Sequence, residues 1–372
     1  GLFCDEIAFH GAYDAHDQAF LEKYAEHTAR EIYAIKFLGD NAFLIGDAAK
    51  LEPVPSERYC RAKISFHQTP VVAGRSLDRG RRQPVPTSTE RAAVLSSGGK
   101  DSLLTYGLMR EMGHAPHSIF VNESGRHWFT ALNAYRHLRD VDPHTARVWT
   151  NSDRVFAWML RRMPFVRPDF ASVRSDEYPI RLWTVAVFLF GALPVMRARG
   201  LGRLLIGDEY DCTERRSDHG ITHYDGLFDQ SRYFDNALTR YFQAKGWGIQ
   251  QFSLLRPMSE LLIEKTLAER YPDLQAHQVS CHATHSDHGR IKPCGRCEKC
   301  RRVVGMLEAV GTGAARCGYS DEQVAECLKA LAERGIRQEA AGAEHLRWML
   351  HQRGLVPSDE ARAHPEVMQL RF

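Results

Sequence analysis

The run Ser96-Ser97-Gly98-Gly99-Lys100-Asp101-Ser102 brings together the groups needed to hold a polyanion. Paired glycines permit backbone conformations closed to other residues and let amide N–H groups approach phosphate oxygens, and a helix starting behind them adds its positive end. Lys100 and the hydroxyls of Ser97 and Ser102 supply further contacts. The spacing fits neither a Walker A loop nor a G-x-G-x-x-G dinucleotide turn. A capped Gly-Gly turn would explain any one of these residues, but not six in order behind the apolar Ala92-Ala93-Val94-Leu95. The segment predicts strand, phosphate loop and helix, with ATP as the ligand and Asn122 and Glu123 bordering the nucleotide pocket. Asp101 either orients a Mg²⁺ ion bridging the phosphates or caps the helix.

A second group is acidic. Gly207-Asp208-Glu209-Tyr210-Asp211-Cys212-Thr213-Glu214-Arg215-Arg216 follows an apolar run and reads as the catalytic loop. With Lys100 and Asp101, the catalytic candidates are Asp208, Glu209, Asp211 and Cys212, of which Glu209, Asp211 or Cys212 would transfer a proton. Arg215 and Arg216 suit a carboxylate or phosphate held bidentately; a solvated loop of mixed charge is the alternative. His219, His223, Tyr224 and Asp225 continue the polar stretch. Arg256 either contacts substrate or pairs with Glu260 one helical turn on. Trp128 and Phe129 read as core rather than as an adenine platform.

Cys281, Cys294, Cys297 and Cys300 have the spacing C-x12-C-x2-C-x2-C. Short turns gather three thiolates and the longer loop returns the first, the donor set of a closed structural Zn²⁺ site. An iron–sulfur cluster or buried thiols are the alternatives. Lys292, Arg296, Lys299, Arg301 and Arg302 would offset the negative charge of a Zn(Cys)₄ centre. His282, His285 and His288 lie in the loop as further ligands or, more simply, as surface or pocket histidines.

These groups need a scaffold, and 372 residues with 44% apolar and 26% charged content can bury a sizeable core. The formal charge of +3 disfavours nucleic acid as the main partner and accords with a small-molecule or peptide substrate carrying a carboxylate. No apolar run reaches the roughly 18 residues of a membrane span. With nine cysteines, an odd number, a metal site in a reducing cytoplasm is expected over a disulfide framework. A homo-oligomer stays open.

Residues 1–70 read as a small α+β domain with a helix over Ala15–Glu31, and 71–90, with its arginines and prolines, as a linker. Strands and helices then alternate over 91–275: strands at Ala92–Ser96, Ser118–Asn122, Arg147–Thr150, Arg203–Gly207 and Phe252–Leu255, helices near 101–112, 127–139, 177–199 and 258–269. That alternation predicts an α/β fold, a doubly wound parallel sheet. The loop would sit at the carboxyl ends of its strands, where ligands bind. The cysteine segment, 276–318, and C-terminal helices over 319–372 complete the chain.

The Ser97–Ser102 string resembles the signature of the PP-loop, or N-type ATP pyrophosphatase, superfamily. The resemblance implies an adenine nucleotide alpha hydrolase-like sheet and cleavage of ATP to AMP and pyrophosphate. Ser280-Cys281 with Cys294-Gly295-Arg296-Cys297-Glu298-Lys299-Cys300 is similar to the cysteine segment of the 7-cyano-7-deazaguanine synthases. Cys4-Asp5-Glu6-Ile7, Gly11, Asp14 and Phe252–Leu261 resemble the glycopeptidyl-glutamate epimerases, which invert the terminal L-glutamate of a muramoyl peptide. Residues 207–226 match neither closely. Both resemblances imply conversion of a carboxylate to an acyl adenylate, the epimerase reading being the leading expectation and an ammonia-dependent amide- or nitrile-forming ligase the alternative. A tRNA-modifying PP-loop enzyme and a non-catalytic nucleotide-binding protein are the remaining readings.

Overall fold

The computed structural model describes residues 4–68, 86–123, 127–173, 179–180, 184–224, 227–281, 283–357 and 360–372. The chain divides into two compact units, one of Gly1–Thr89, Arg154–Arg203 and Cys212–Gln251, the other of Glu90–Asp153, Leu204–Asp211 and Phe252–Phe372. Residues 154–203 and 212–251, which sequence alternation groups with the rest of 91–275, thus pack with the N-terminal segment. The cause is aromatic: Phe20 stacks on Tyr241 at 4.5 Å and His27 on Phe228 at 4.3 Å between ring centroids. These rings project from the helix Ala15–Glu31, whose start is fixed by a reciprocal capping box between Asp14 and Asp17. The same unit holds a parallel pair of strands, Glu6–His10 and Lys63–His67.

The chain also forms a five-stranded parallel sheet. Across its width the order is Ala146–Trp149, His117–Asn122, Ser88–Leu95, Leu201–Leu205 and Gln250–Phe252. The first of these in the chain lies in the middle, so successive connections run to opposite sides of it. This is the arrangement that opens a crevice at the carboxyl edge. Leu95 pairs with Ile119 and Asn122 with Trp149. Val94, Phe120 and Leu205 on the strands, and Leu103 and Leu104 on the helix that follows the first of them, are fully buried; strands covered on both faces read as continuous apolar runs.

Two boundaries differ from the sequence expectation for a local reason. The strand expected over Phe252–Leu255 ends at Phe252, where Ser253 Oγ donates to Asp208 O at 2.7 Å and accepts from Asp208 N and Leu255 N at 3.1 and 3.0 Å. The helix expected over 258–269 starts later: Ser259 caps it, accepting from Leu262 N, and it runs Glu260–Arg270. The long helix expected from residue 177 is described from Thr184 to Arg199. Beyond the cysteine segment, Glu298–Val310, Asp321–Arg334 and Ala340–Gln352 form a helical cluster with Val304, Leu307, Leu331, Leu346 and Leu350 fully buried. Among the described residues no helix is long and apolar enough to cross a membrane.

Candidate active site

Ser96 N–H donates to Ile119 O at 3.0 Å, the last sheet bond before the chain turns. Gly98 adopts φ +77°, and a Cβ there would lie 2.7 Å from Ala131 Cα and 2.8 Å from Thr130 O. Any side chain would strike the backbone of the helix His127–Val141, so glycine is required twice over. Gly99 caps the helix Lys100–Glu111 and no side chain closes that end, which directs its first amide groups at a prospective anion. Ser102 Oγ donates to Gly99 O at 3.1 Å, while Ser97 is exposed at the tip. Gly207 meets the loop from the neighbouring strand end: its Cβ would fall 2.6 Å from Asp101 Cβ.

Asp101 is therefore not the helix cap. Its Oδ1 lies 2.7 Å from Lys100 Nζ, which also reaches Glu260 Oε1 at 3.1 Å. Glu260 Oε2 in turn pairs with Arg302 Nη1 at 3.3 Å. Burial opposes the charge of Lys100, but Asp101, Glu260 and Glu209 outweigh it and hold the ammonium well above its ordinary range. Burial likewise pushes Glu260 up, and Arg302 and Lys100 overcome it, keeping the carboxylate ionised. A buried, fixed positive charge beside a helix N-terminus is suited to phosphate.

The acidic loop behaves differently. Burial pushes Glu209 up to about 7, opposed by Lys100 and reinforced by Asp101 and Glu260. Asp211 is pushed up to about 8 by burial and by Glu209, Glu260 and Glu339, with Arg371 pulling the other way. Glu209 is partly open to solvent. An acid in that state near pH 7 can both take and return a proton. Asp208, by contrast, is buried and paired with Arg256 at 3.3 Å. Arg256 thus takes Asp208 as its partner, and Arg302 occupies the position beside Glu260 that sequence spacing offered to Arg256.

Asn122 and Glu123 are buried at the end of their strand, and Glu123 Oε1 accepts from Ser152 Oγ at 2.8 Å. Trp128 packs partly against the sheet core, but Phe129 is 47% exposed. Cys212, Arg215 and Arg216 belong to the other compact unit. Cys212 is buried in a short turn, and the two arginines are exposed on a hairpin, Arg215–Asp218 with Ile221–Tyr224. Asp225 and His282 lie outside the described residues, as does most of the expected linker.

The sulfurs of Cys281, Cys294, Cys297 and Cys300 all lie within 4.8 Å of one another. Cys294 and Cys297 approach Cys300 at 3.8 and 3.5 Å, and Cys297 lies 3.9 Å from Cys281. A tetrahedron with Zn–S bonds of about 2.3 Å has edges of about 3.8 Å, so the set fits a metal such as zinc. His285 and His288 are exposed, and the four thiols already complete the tetrahedron.

Sequence reading missed Glu260 as the partner of Lys100, Glu339, Arg371, and Glu264, a fully buried acid bonded to Gln278 Nε2 at 2.8 Å and raised to about 7 by burial. Glu260 carried a signal, an acid one residue behind a serine cap. Glu339 and Arg371 carried none, since over a hundred residues separate them from the loop that they meet.

No protein-family profile matches the chain. A curated 7-cyano-7-deazaguanine synthase from Chlorobium luteolum (strain DSM 273 / BCRC 81028 / 2530) is 26% identical over 231 residues, 59% of this chain and 93% of that protein. This similarity supports the PP-loop superfamily and an ATP-dependent enzyme. The epimerase resemblance gains no support from it.

Proposed function

We propose that the chain adenylates an acid with ATP, releasing pyrophosphate, and passes the activated acyl group to a nitrogen nucleophile, forming a C–N bond. The observation that carries this reading is the juxtaposition of Lys100, at the glycine turn, with Glu209 poised near pH 7. The similarity to a 7-cyano-7-deazaguanine synthase favours the ligase over the epimerase. A carboxylate resists nucleophiles because it is already negative, and capping it with AMP removes that charge and supplies a leaving group. The Ser97–Ser102 amides and Lys100 would hold the departing phosphates, with Asp101 available to a Mg²⁺ ion. Zinc at the four cysteines would be structural, because four thiolates leave no position for water.

In this scheme Glu209 takes a proton from an incoming ammonium or amine and delivers a neutral nucleophile to the acyl carbon. The epimerase reading keeps one supporting feature, two raised acids on a single loop, Glu209 and Asp211, as an α-proton transfer would use. One experiment separates them. With an ¹⁸O-labelled carboxylate substrate, ATP and ¹⁵N-ammonium, the ligase transfers ¹⁸O to AMP and ¹⁵N to product; an epimerase incorporates solvent deuterium at the α-carbon without nitrogen. AMP free of ¹⁸O would contradict adenylation in either form.

A further inference from the structure

The C-terminal residues 364–372 reach the acidic loop. Val367 is fully buried and its carbonyl accepts from Ser259 Oγ at 2.6 Å, and Arg371 N–H donates to Pro257 O at 2.7 Å. The Arg371 guanidinium then lies over the Tyr210 ring, 3.9 Å from its centroid. Nη2 stands 3.8 Å from Asp211 Oδ1 and 3.9 Å from Glu339 Oε2. Tyr210 is fixed from below by its own N–H, which donates to Met258 O at 2.9 Å. Glu339 is fixed too, since its carboxylate caps the helix Ala340–Gln352 by accepting from Ala341 N and Gly342 N.

We propose that Arg371 is a positioning residue: stacked on Tyr210, it anchors the Tyr210–Asp211 turn and supplies the cation that faces the Asp211 carboxyl, fitting that acid to act as a second proton-transfer group. The inference rests on the proton-transfer role given above to this loop. Asp211 is faced by Glu209 on its own loop, Glu260 on the helix Glu260–Arg270, Glu339 at the start of Ala340–Gln352, and Arg371. Three of the four are acids, so without Arg371 the carboxyl would hold its proton to higher pH. The stacking matters as well as the charge. A guanidinium centred over a tyrosine ring can at the same time face two carboxylates, a placement that lysine does not reproduce.

The test is a ¹³C-carboxyl NMR titration of the full chain without substrate, the Asp211 resonance being assigned by its loss in Asp211→Asn. Arg371→Gln should raise the Asp211 midpoint by about one unit, Arg371→Lys should raise it less, and Glu339→Gln should lower it. The opposite sign of the Glu339 variant keeps the test decisive where Arg371→Gln fails to fold. An Asp211 midpoint indifferent to these changes overturns the proposal. In pyrophosphate release, Arg371→Gln should lose activity near pH 8, where Asp211 changes state in the wild type, and recover it at higher pH, while the limb near 7 set by Glu209 stays in place; a uniform loss at every pH would reduce Arg371 to a structural contact. A wild-type chain that releases no pyrophosphate refutes the proposed function, whereas the titration still decides the role of Arg371.

Discussion

Lys100 and Glu209 act on one another electrostatically yet are held in opposite states. Lys100 keeps its proton because Asp101 and Glu260 surround it, and Glu209 sits near 7 because burial and those same acids offset Lys100. The sign for catalysis follows directly. A base must be deprotonated, so kcat/KM should rise with pH through about 7 as Glu209 ionises. Glu209→Gln should abolish that limb and slow turnover by about 10²- to 10⁴-fold, the usual worth of a general base. Nucleotide affinity, measured by calorimetry, should change little, since Lys100 and the glycine turn remain. An unaltered pH profile in Glu209→Gln would assign the limb elsewhere.

At the scale of elements, the site depends on close approach of backbone to backbone. Gly98 leaves room for the helix His127–Val141, and Gly207 lets one strand end lie against the start of the Lys100–Glu111 helix. Gly98→Ala should therefore displace the loop: pyrophosphate release should fall at least tenfold, and the thermal midpoint should drop, because positive φ and a backbone clash together cost about 1–3 kcal/mol. Normal activity in Gly98→Ala would show that the loop is not held as described. The glycine turn, the strand before it and the helix Ala15–Glu31 were legible in sequence because each is set by neighbours in the chain: apolar period, a cap, a turn residue. The partner of Lys100 was not. Glu260 meets it, and Arg302 meets Glu260, through tertiary packing, which offers nearby acids and bases several equally good pairings in sequence, and Arg256 went to Asp208 instead.

At the scale of the molecule, the same difference governs the units. Alternation of strands and helices reveals the sheet, but it is blind to the rings of Phe20, His27, Phe228 and Tyr241 that join residues 212–251 to the N-terminal helix. The cysteine cluster is a second whole-molecule feature. Cys281 and Cys300 belong to the same buried core as Leu331, Leu346 and Leu350, so a metal there would tie the phosphate-loop unit to its C-terminal helices. Four ionised thiols at these distances repel one another unless a cation is bound. About one equivalent of zinc per chain is expected by elemental analysis, and a strong chelator should lower the thermal midpoint, with recovery on adding zinc. Absence of metal together with an unchanged midpoint would refute the metal reading.

The central claim is that the turn at Ser97–Ser102 directs scission of ATP between its α and β phosphates. It is tested most directly by ³¹P NMR of the wild-type chain turning over ATP with candidate carboxylic acids and ammonium. The account predicts AMP and pyrophosphate in equal amounts, both lost in Lys100→Ala; ADP and inorganic phosphate as the products would contradict it.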